Sequence, residues 1–267
     1  MHQKLIGLKI KMNIFTIIGQ TTITFFRKTG KVAVFTAHAI SAILKPPYYP
    51  KEVLTNLFNI GFLSLPVVAL TAIFTGAVLA LQSYTGFSRF NAESTISAVV
   101  ALSITRELGP VLAGLMISGR VGAAISAEIG SMRVTEQIDA LKTLSTDPFQ
   151  YLIAPRIIAA IIALPFLVIV ADIIGIMGGY LIAVYKLGFN PTTYIKNTFE
   201  FLEPIDIISG LVKATIFGFI VSLMGCYNGY YTTKGAQGVG FATTQAVVMG
   251  SILILFSNYF LTELFFS

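Results

Sequence analysis

Two adjacent charged residues, Arg106 and Glu107, lie in the middle of a stretch that is otherwise apolar enough to cross a membrane. They are the only charged residues between positions 94 and 119. A charge in a bilayer core costs roughly 2.5–3.5 kcal/mol on insertion scales, so it is kept where it pairs, lines a polar cavity or binds a ligand. A guanidinium binds phosphate well and a carboxylate binds amines, so this pair could hold a lipid headgroup.

Helix geometry leaves two interpretations of this pair. Adjacent residues on a helix point about 100° apart, so Arg106 and Glu107 are poorly placed to bond each other, and at least one of them faces another group. In the first interpretation the two charges form a structural lock with each other or with nearby carbonyls, helped by a kink at Pro110. In the second, which we favour, they line a cavity, with Arg106 facing a phosphate and Glu107 facing an amine or restraining Arg106.

The overall composition indicates that membrane-spanning helices position this pair. The chain has 267 residues, of which 55% are hydrophobic and 11% charged, and its mean hydropathy is +0.81. Soluble domains carry about 25% charged residues, so we predict an all-α integral membrane protein with about five spans of roughly 20 residues each. The single cysteine and two histidines indicate neither an intrachain disulfide nor a metal site. The basic residues are dispersed among apolar ones and indicate no nucleic-acid partner.

Segments with few or no charges locate the five spans. We predict a polar loop at 186–206, bends at Pro66 and Pro165, and spans near residues 60–84, 94–119, 157–185, 207–231 and 244–261. Asp172 is a lone acid within the third span, either a proton-coupling group or, as we prefer, a packed or hydrogen-bonded neutral acid. Lys213, near the start of the fourth span, is expected to extend its ammonium to the membrane interface.

The first 51 residues form a separate basic segment. They contain eight of the 18 basic residues of the chain and no acidic residue, with apolar residues interleaved. This pattern predicts an amphipathic helix lying on an anionic membrane face, with a cleaved signal peptide as the alternative. Prolines at positions 46, 47 and 50 predict a helix break after it. We therefore divide the chain into an interfacial segment, 1–51, and a transmembrane domain, 52–267.

The distribution of lysine and arginine predicts the orientation in the membrane. With the N-terminus in the cytoplasm, 13 of these residues outside the spans lie on the cytoplasmic side and three on the other side. Basic residues favour the cytoplasmic side. We therefore predict a cytoplasmic N-terminus and a C-terminus on the opposite side, so the loop between spans two and three faces the cytoplasm.

That loop contains a candidate short helix of two to three turns. Thr135 is a candidate N-cap, and Glu136, Asp139 and Lys142 follow at intervals of three residues, which places them on one polar stripe. A capped helix with an apolar edge beside such a stripe suits docking into a groove on a soluble partner. An ordinary solvated loop helix is the alternative.

Residues 107–141 carry a family resemblance. Their sequence, ELGPVLAGLMISGRVGAAISAEIGSMRVTEQIDAL, resembles the signature of the MlaE permease family, and the similarity continues through Asp147-Pro148 and Pro155-Arg156. That family comprises membrane subunits of ABC transporters that move phospholipids between membranes, in either direction. The resemblance implies a lipid pocket between two protomers, lined at the positions of Arg106 and Glu107. It also implies a cytoplasmic region that contacts the ATPase, whose matching charged positions here are Glu128, Arg133, Glu136 and Asp139.

The resemblance further implies a set of partners and a location. These are a second copy of the chain, a cytoplasmic ABC ATPase that uses ATP and Mg²⁺, a periplasmic MCE-domain lipid-binding protein and, in some systems, a STAS-domain protein, in a bacterial inner membrane. The chain has no G-x-x-x-x-G-K-S/T sequence, so we expect no ATPase activity and no cofactor of its own. The alternatives are an ATP-independent secondary transporter or channel, with Asp172 and the Arg106-Glu107 pair as a relay, and a membrane scaffold that recruits partners.

Overall fold

The computed structural model describes residues 14–88, 95–233 and 235–266, and every regular element within them is helical. Arg89, Lys234 and the lysines before position 14 lie outside the described residues. The α-helices are α1 Ile14–Leu44, α2 Pro50–Ile60, α3 Leu65–Phe87, α4 Ile96–Ser103, α5 Gly109–Ile117, α6 Ala123–Val134, α7 Gln137–Thr143, α8 Ala154–Tyr185, α9 Pro191–Phe201, α10 Pro204–Tyr230 and α11 Gly235–Phe266.

Five helical segments are long and apolar enough to cross a membrane, which confirms the predicted all-α integral membrane fold. They are Pro50–Phe87, Ile96–Val134, Phe149–Tyr185, Pro204–Tyr230 and Gly235–Phe266. The second is 39 residues long because the helix continues past Arg120, where the sequence predicts a charged loop. The Arg120 guanidinium donates to Ser64 Oγ at 2.6 Å and to the Asn59 carbonyl at 3.3 Å. These hydrogen bonds connect Arg120 to the first span.

Two other predictions about the chain path need correction. The first span is interrupted at the 3₁₀ turn Phe62–Ser64, and Pro66 lies in the first turn of α3. A proline is tolerated there because the first-turn N–H groups have no helical partner, so the break precedes Pro66. The predicted polar loop at 186–206 contains the helix α9, whose start is capped by Asn190 Oδ1, which accepts from the N–H groups of Thr192 and Thr193. Pro165 lies inside α8, as expected.

Helix α8 occupies the middle of the bundle and packs against α2, α3 and α10. Helix α3 approaches α8 closely at Gly76, where an added Cβ would lie 1.8 Å from the carbonyl oxygen of Gly175. At Gly218 on α10, an added Cβ would lie 2.5 Å from the Ala160 carbonyl oxygen. Small residues therefore let these spans touch backbone to backbone, as is common where membrane helices associate.

The basic helix α1 is attached to one end of this bundle through an aromatic cluster. Phe35 is almost fully buried, and its ring centroid lies 5.2 Å from that of Phe149 and 5.5 Å from that of Tyr227. Ile23 and Phe26 on the same helix are exposed. Helix α1 thus packs where α10 ends and where the third span begins, and its placement on the membrane face stays a prediction.

Candidate functional site

Arg106 and Glu107 lie in a π-helical turn, Ile104–Leu108, within the second span. The turn is wider than an α-turn, and the Gly109 N–H donates to the carbonyl of Ile104, five residues earlier. Pro110 has no N–H and so cannot donate to the carbonyl of Arg106, four residues before it. Lys213 Nζ on α10 donates to that carbonyl instead, at 2.7 Å.

Arg106 makes an ion pair that the sequence did not predict. Its Nε donates to Asp206 Oδ1 at 2.6 Å, and Asp206 is fully buried in the first turn of α10. The guanidinium carbon lies 4.3 Å from the centroid of the Phe266 ring. Among the described residues, Nε is the only atom of this guanidinium with a hydrogen bond to protein, and 34% of the side chain is exposed. Its terminal nitrogen atoms therefore remain available to an anion.

Glu107 faces away from Arg106 and is held by three side chains. Its Oε1 accepts from Lys213 Nζ at 2.7 Å and lies 2.7 Å from the hydroxyl of Thr262, and its Oε2 accepts from Asn258 Nδ2 at 2.8 Å. Asn258 and Thr262 are four residues apart on α11 and so lie on one face. We call Arg106, Glu107, Asp206 and Lys213 the charged network.

The prediction that Lys213 extends to the membrane interface was wrong. Its side chain is fully buried. Its three N–H groups donate to the carbonyl of Arg106, to Glu107 and, at 2.8 Å, to the Thr262 hydroxyl. A buried ammonium is retained when every donor is satisfied and an opposite charge is adjacent, and both conditions hold here.

The charged network lies nearer one end of the bundle than the middle. Arg106 is only ten residues after the start of its span, Asp206 is in the first turn of α10, and Phe266 is the last residue of α11. The sequence places the pair at mid-span because it ends the second span at position 119, whereas the helix runs on to Val134. The pair is therefore positioned asymmetrically along a long helix.

Asp172 on α8 is packed beside the same turn. An added Cβ at Gly109 would lie 2.0 Å from Asp172 Oδ1. The residue is 8% exposed, and within the described part of the chain Oδ1 has no hydrogen-bond partner. The structure thus shows a packed acid, one of the two forms of our preferred interpretation, and shows no hydrogen bond at that oxygen.

The second predicted site lies at the far end of the same long helix. The predicted short helix is α7, of two turns, but Thr135 is not its N-cap. The Thr135 hydroxyl donates backwards to the Ser131 carbonyl at 2.9 Å and so belongs to the end of α6. The chain reverses at Glu136, which has a left-handed backbone conformation with φ 61°.

The charges of this segment are paired with each other and with α8. Asp139 Oδ1 accepts from Arg133 Nη1 at 2.8 Å and from Lys142 Nζ at 3.3 Å. The hydrogen bond from Arg133, followed by that from Lys142, holds the pKa of Asp139 below its usual value. Glu128 Oε2 lies 3.0 Å from Arg156 Nη2 at the start of α8. We call residues 128–142 the coupling segment, after the contact with the ATPase that the resemblance implies. Of the four site residues predicted there, Arg133 and Asp139 form an ion pair with each other. Glu128 and Glu136 are exposed.

Comparison with known proteins decides the family. The family of the MlaE permease matches residues 53–264. The chain belongs to the MlaE permease family. A relative from Rickettsia felis, named as a probable ABC transporter permease protein, is 64% identical over 255 residues, which cover 96% of this chain and 98% of the relative.

More distant relatives match over most of the chain. A protein of Haemophilus influenzae, named as the intermembrane phospholipid transport system permease protein MlaE, is 34% identical over 261 residues, covering 96% of this chain and 98% of that protein. The chloroplastic protein TRIGALACTOSYLDIACYLGLYCEROL 1 of Arabidopsis thaliana is 37% identical over 235 residues, covering 88% of this chain and 67% of that protein. These similarities confirm the resemblance carried by residues 107–141.

For this MlaE-family permease, sequence reasoning missed half of the charged network. Asp206 was placed at the end of a polar loop and Lys213 at an interface, so neither was assigned to Arg106 or Glu107. One feature of the sequence does indicate that Asp206 and Lys213 could pair with Arg106 and Glu107. Asp206 and Lys213 are seven residues apart and therefore on one face of a helix, and they carry the charges that an adjacent Arg-Glu pair in another span requires.

Proposed function

We propose that the chain is the permease subunit of an ABC transporter that moves phospholipids between membranes. The observation that carries this proposal is membership in the MlaE permease family over residues 53–264, together with a relative named for intermembrane phospholipid transport. The five apolar helical segments give the chain the form that such a subunit needs. ATP and Mg²⁺ belong to a separate ATPase, since the sequence has no P-loop.

In this proposal Arg106 binds the lipid phosphate. Its charge is already balanced by Asp206, and that of Glu107 is balanced by Lys213. A phosphate therefore meets a guanidinium that is fixed in place and has unused N–H groups, which lowers the ordering cost of binding. Glu107 then positions the site through α10 and α11, and its exposed part is available to a headgroup amine.

A second copy of the chain completes the pocket. On α11, which carries Asn258 and Thr262, a row of large apolar side chains is exposed in the single chain: Ile252, Leu255, Phe256, Tyr259, Phe260 and Leu264. We propose that two copies meet beside this face, so that the lipid lies between them next to Arg106. The apolar row would then hold the acyl chains while the charged network holds the headgroup.

In this proposal the ATPase acts on the permease through the coupling segment. The helix that carries Glu107 runs on to Val134, which at 1.5 Å per residue is about 40 Å. A cytoplasmic ATPase bound at residues 128–142 could move this long helix and so change the pocket. We place the N-terminus and the coupling segment in the cytoplasm of a bacterium and the C-terminus in the periplasm. An MCE-domain protein there exchanges the lipid, and a STAS-domain protein can accompany the ATPase.

Reconstitution tests this proposal directly. The chain is placed in liposomes with its ATPase and MCE partners, and ATP-dependent transfer of a labelled phospholipid is measured. We expect Arg106→Gln to reduce transfer at least tenfold, and Lys51→Gln, at an exposed position of α2, to leave it unchanged. Lipid transfer that depends on a proton gradient and is unaffected by ATP would identify a secondary transporter. Full transfer by the Arg106 variant would remove the pocket from the proposal.

A further inference from the structure

A cavity with a partly polar lining lies far from the charged network, at the opposite ends of α10 and α11. Its volume is about 600 Å³, and it lies between α1, the end of α10 and the first turns of α11. Its polar lining includes Lys28, Asn228, Tyr231 and Gln245. Asp206 and Tyr231 are 25 residues apart along α10 and its end, or about 37 Å at 1.5 Å per residue. The cavity and the network therefore lie at opposite ends of the bundle.

The charge of this cavity suits an anion. Lys28 supplies an ammonium, the amides and hydroxyls around it are neutral donors, and no acidic side chain is among the described residues that line it. The cavity is also placed where two spans end, which is the depth of the headgroups in a bilayer. Tyrosines are favoured at that depth, and Tyr227 and Tyr231 both line the cavity.

The same cavity has an apolar side that continues along α11. Phe241 and Met249 line it, and Phe241 is exposed. Val248, which follows on α11, is an exposed apolar residue as well. A ligand that fills both parts needs an anionic head and a long apolar tail, which a free phosphate lacks.

We propose that this cavity binds the phosphate-bearing headgroup of an anionic phospholipid, with the acyl chains lying along α11. Lys28 pairs with the phosphate, and the amide of Gln245 donates to its oxygens. The site is separate from the one at Arg106, and it does not depend on whether the chain transports lipid. It ties the basic helix α1 to the bundle through a lipid in the leaflet on which α1 is predicted to lie.

Tryptophan fluorescence tests the proposal cleanly because the chain contains no tryptophan. Phe241→Trp places the only indole at the cavity, and the full chain is reconstituted in vesicles of phosphatidylcholine with increasing brominated phosphatidylglycerol. Bromine on the acyl chains quenches the indole on contact. We expect phosphatidylglycerol to bind about fivefold more tightly than brominated phosphatidylcholine, the effect of one lysine beside an anionic lipid. Phe74→Trp on the exposed face of α3 should show no preference.

Two variants separate this site from general attraction to a basic helix. In the Phe241→Trp background, Lys28→Gln should abolish the preference, and Lys31→Gln, one turn further along α1 and outside the cavity lining, should keep it. Equal quenching by both lipids, or an unchanged preference in Lys28→Gln, overturns the proposal. So does an indole that neither lipid quenches, because protein would then cover the cavity. Loss of the preference with inorganic phosphate at matched ionic strength would assign the site to free phosphate instead.

Discussion

The charged network and the coupling segment contain the same chemistry in opposite surroundings. In the network, Asp206 and Lys213 are fully buried, and each contacts a partner that is about one-third exposed. In the coupling segment, Asp139 is 51% exposed and both of its basic partners are at least one-third exposed. One long helix, Ile96–Val134, contributes Arg106 and Glu107 to the network and Arg133 to the coupling segment, so the two clusters can be compared for the effect of burial.

Burial determines what each cluster can do. A buried charge that loses its partner is left without compensation, so the network is costly to break and holds its groups in one geometry. An exposed pair contributes about 0–1 kcal/mol because water replaces the lost partner. The network is therefore suited to a preorganised binding site, and the coupling segment is suited to exchanging its internal pairs for contacts with another protein.

The largest effect is expected when one member of the network is removed. Lys213→Met leaves Glu107 without its cation and the carbonyl of Arg106 without a donor, which should lower the free energy of unfolding by about 3 kcal/mol. Thermal unfolding in detergent, followed by size-exclusion chromatography, measures the loss. Lys142→Met in the coupling segment is the matched control and should shift the midpoint far less. Equal shifts would mean that burial does not distinguish the two clusters.

A double variant separates stability from function within the network. Lys213→Met combined with Glu107→Met removes both charges, and apolar replacement of a buried pair is often neutral for stability. We expect the double variant to lie within about 1 kcal/mol of the parent, with the Arg106 carbonyl as the remaining loss. If Glu107 contributes to the pocket, ATP-dependent lipid transfer by the double variant should be lower than transfer by the parent protein. Recovery of both stability and transfer would support the structural lock instead.

The sequence predicts the spans well because their signal is local. A run of about 20 apolar residues identifies a membrane helix wherever it lies. Each of the five predicted segments overlaps one observed segment: three fall within it, and 94–119 and 207–231 extend past one end by two residues and one residue. Their ends were misplaced where a charge was satisfied from another span. Arg120 was read as the start of a loop, yet its bond to Ser64 keeps it inside the helix.

The partners in the candidate site could not be derived in the same way. The pairing of Arg106 with Asp206 joins residues 100 positions apart, and a single sequence contains no measure of which spans are neighbours. Local reasoning did predict that at least one of Arg106 and Glu107 faces another group, because adjacent residues on a helix point about 100° apart. Thr135 shows the converse: its residue type suits an N-cap, but its hydroxyl was already bonded to the preceding helix.

A smaller effect on stability is expected in the coupling segment. Arg133→Ala removes the shorter of the two contacts to Asp139, and the change in the free energy of unfolding should be small because water can replace the lost partner at an exposed carboxylate. ATP-driven lipid transfer should nevertheless fall severalfold, because the residue belongs to the proposed ATPase contact. Lys142→Ala removes the longer contact and should affect transfer less. If Arg133→Ala unfolds the protein as readily as Lys213→Met does, the contrast between the two clusters fails.

The smallest effect concerns the contribution of Asp139 to stability, which should change with pH only under strongly acidic conditions. The pKa of Asp139 is lowered in the folded protein by its bond from Arg133. Its contribution to stability is therefore present above the unfolded value of about 3.9 and is lost as the pH falls through the folded pKa. Asp139→Asn should lower the unfolding midpoint by the same small amount at about pH 7.5 and pH 5, since the parent is ionised at both. A difference that already disappears at pH 5 would require a raised pKa, and Asp139 would then behave as a buried acid rather than an exposed one.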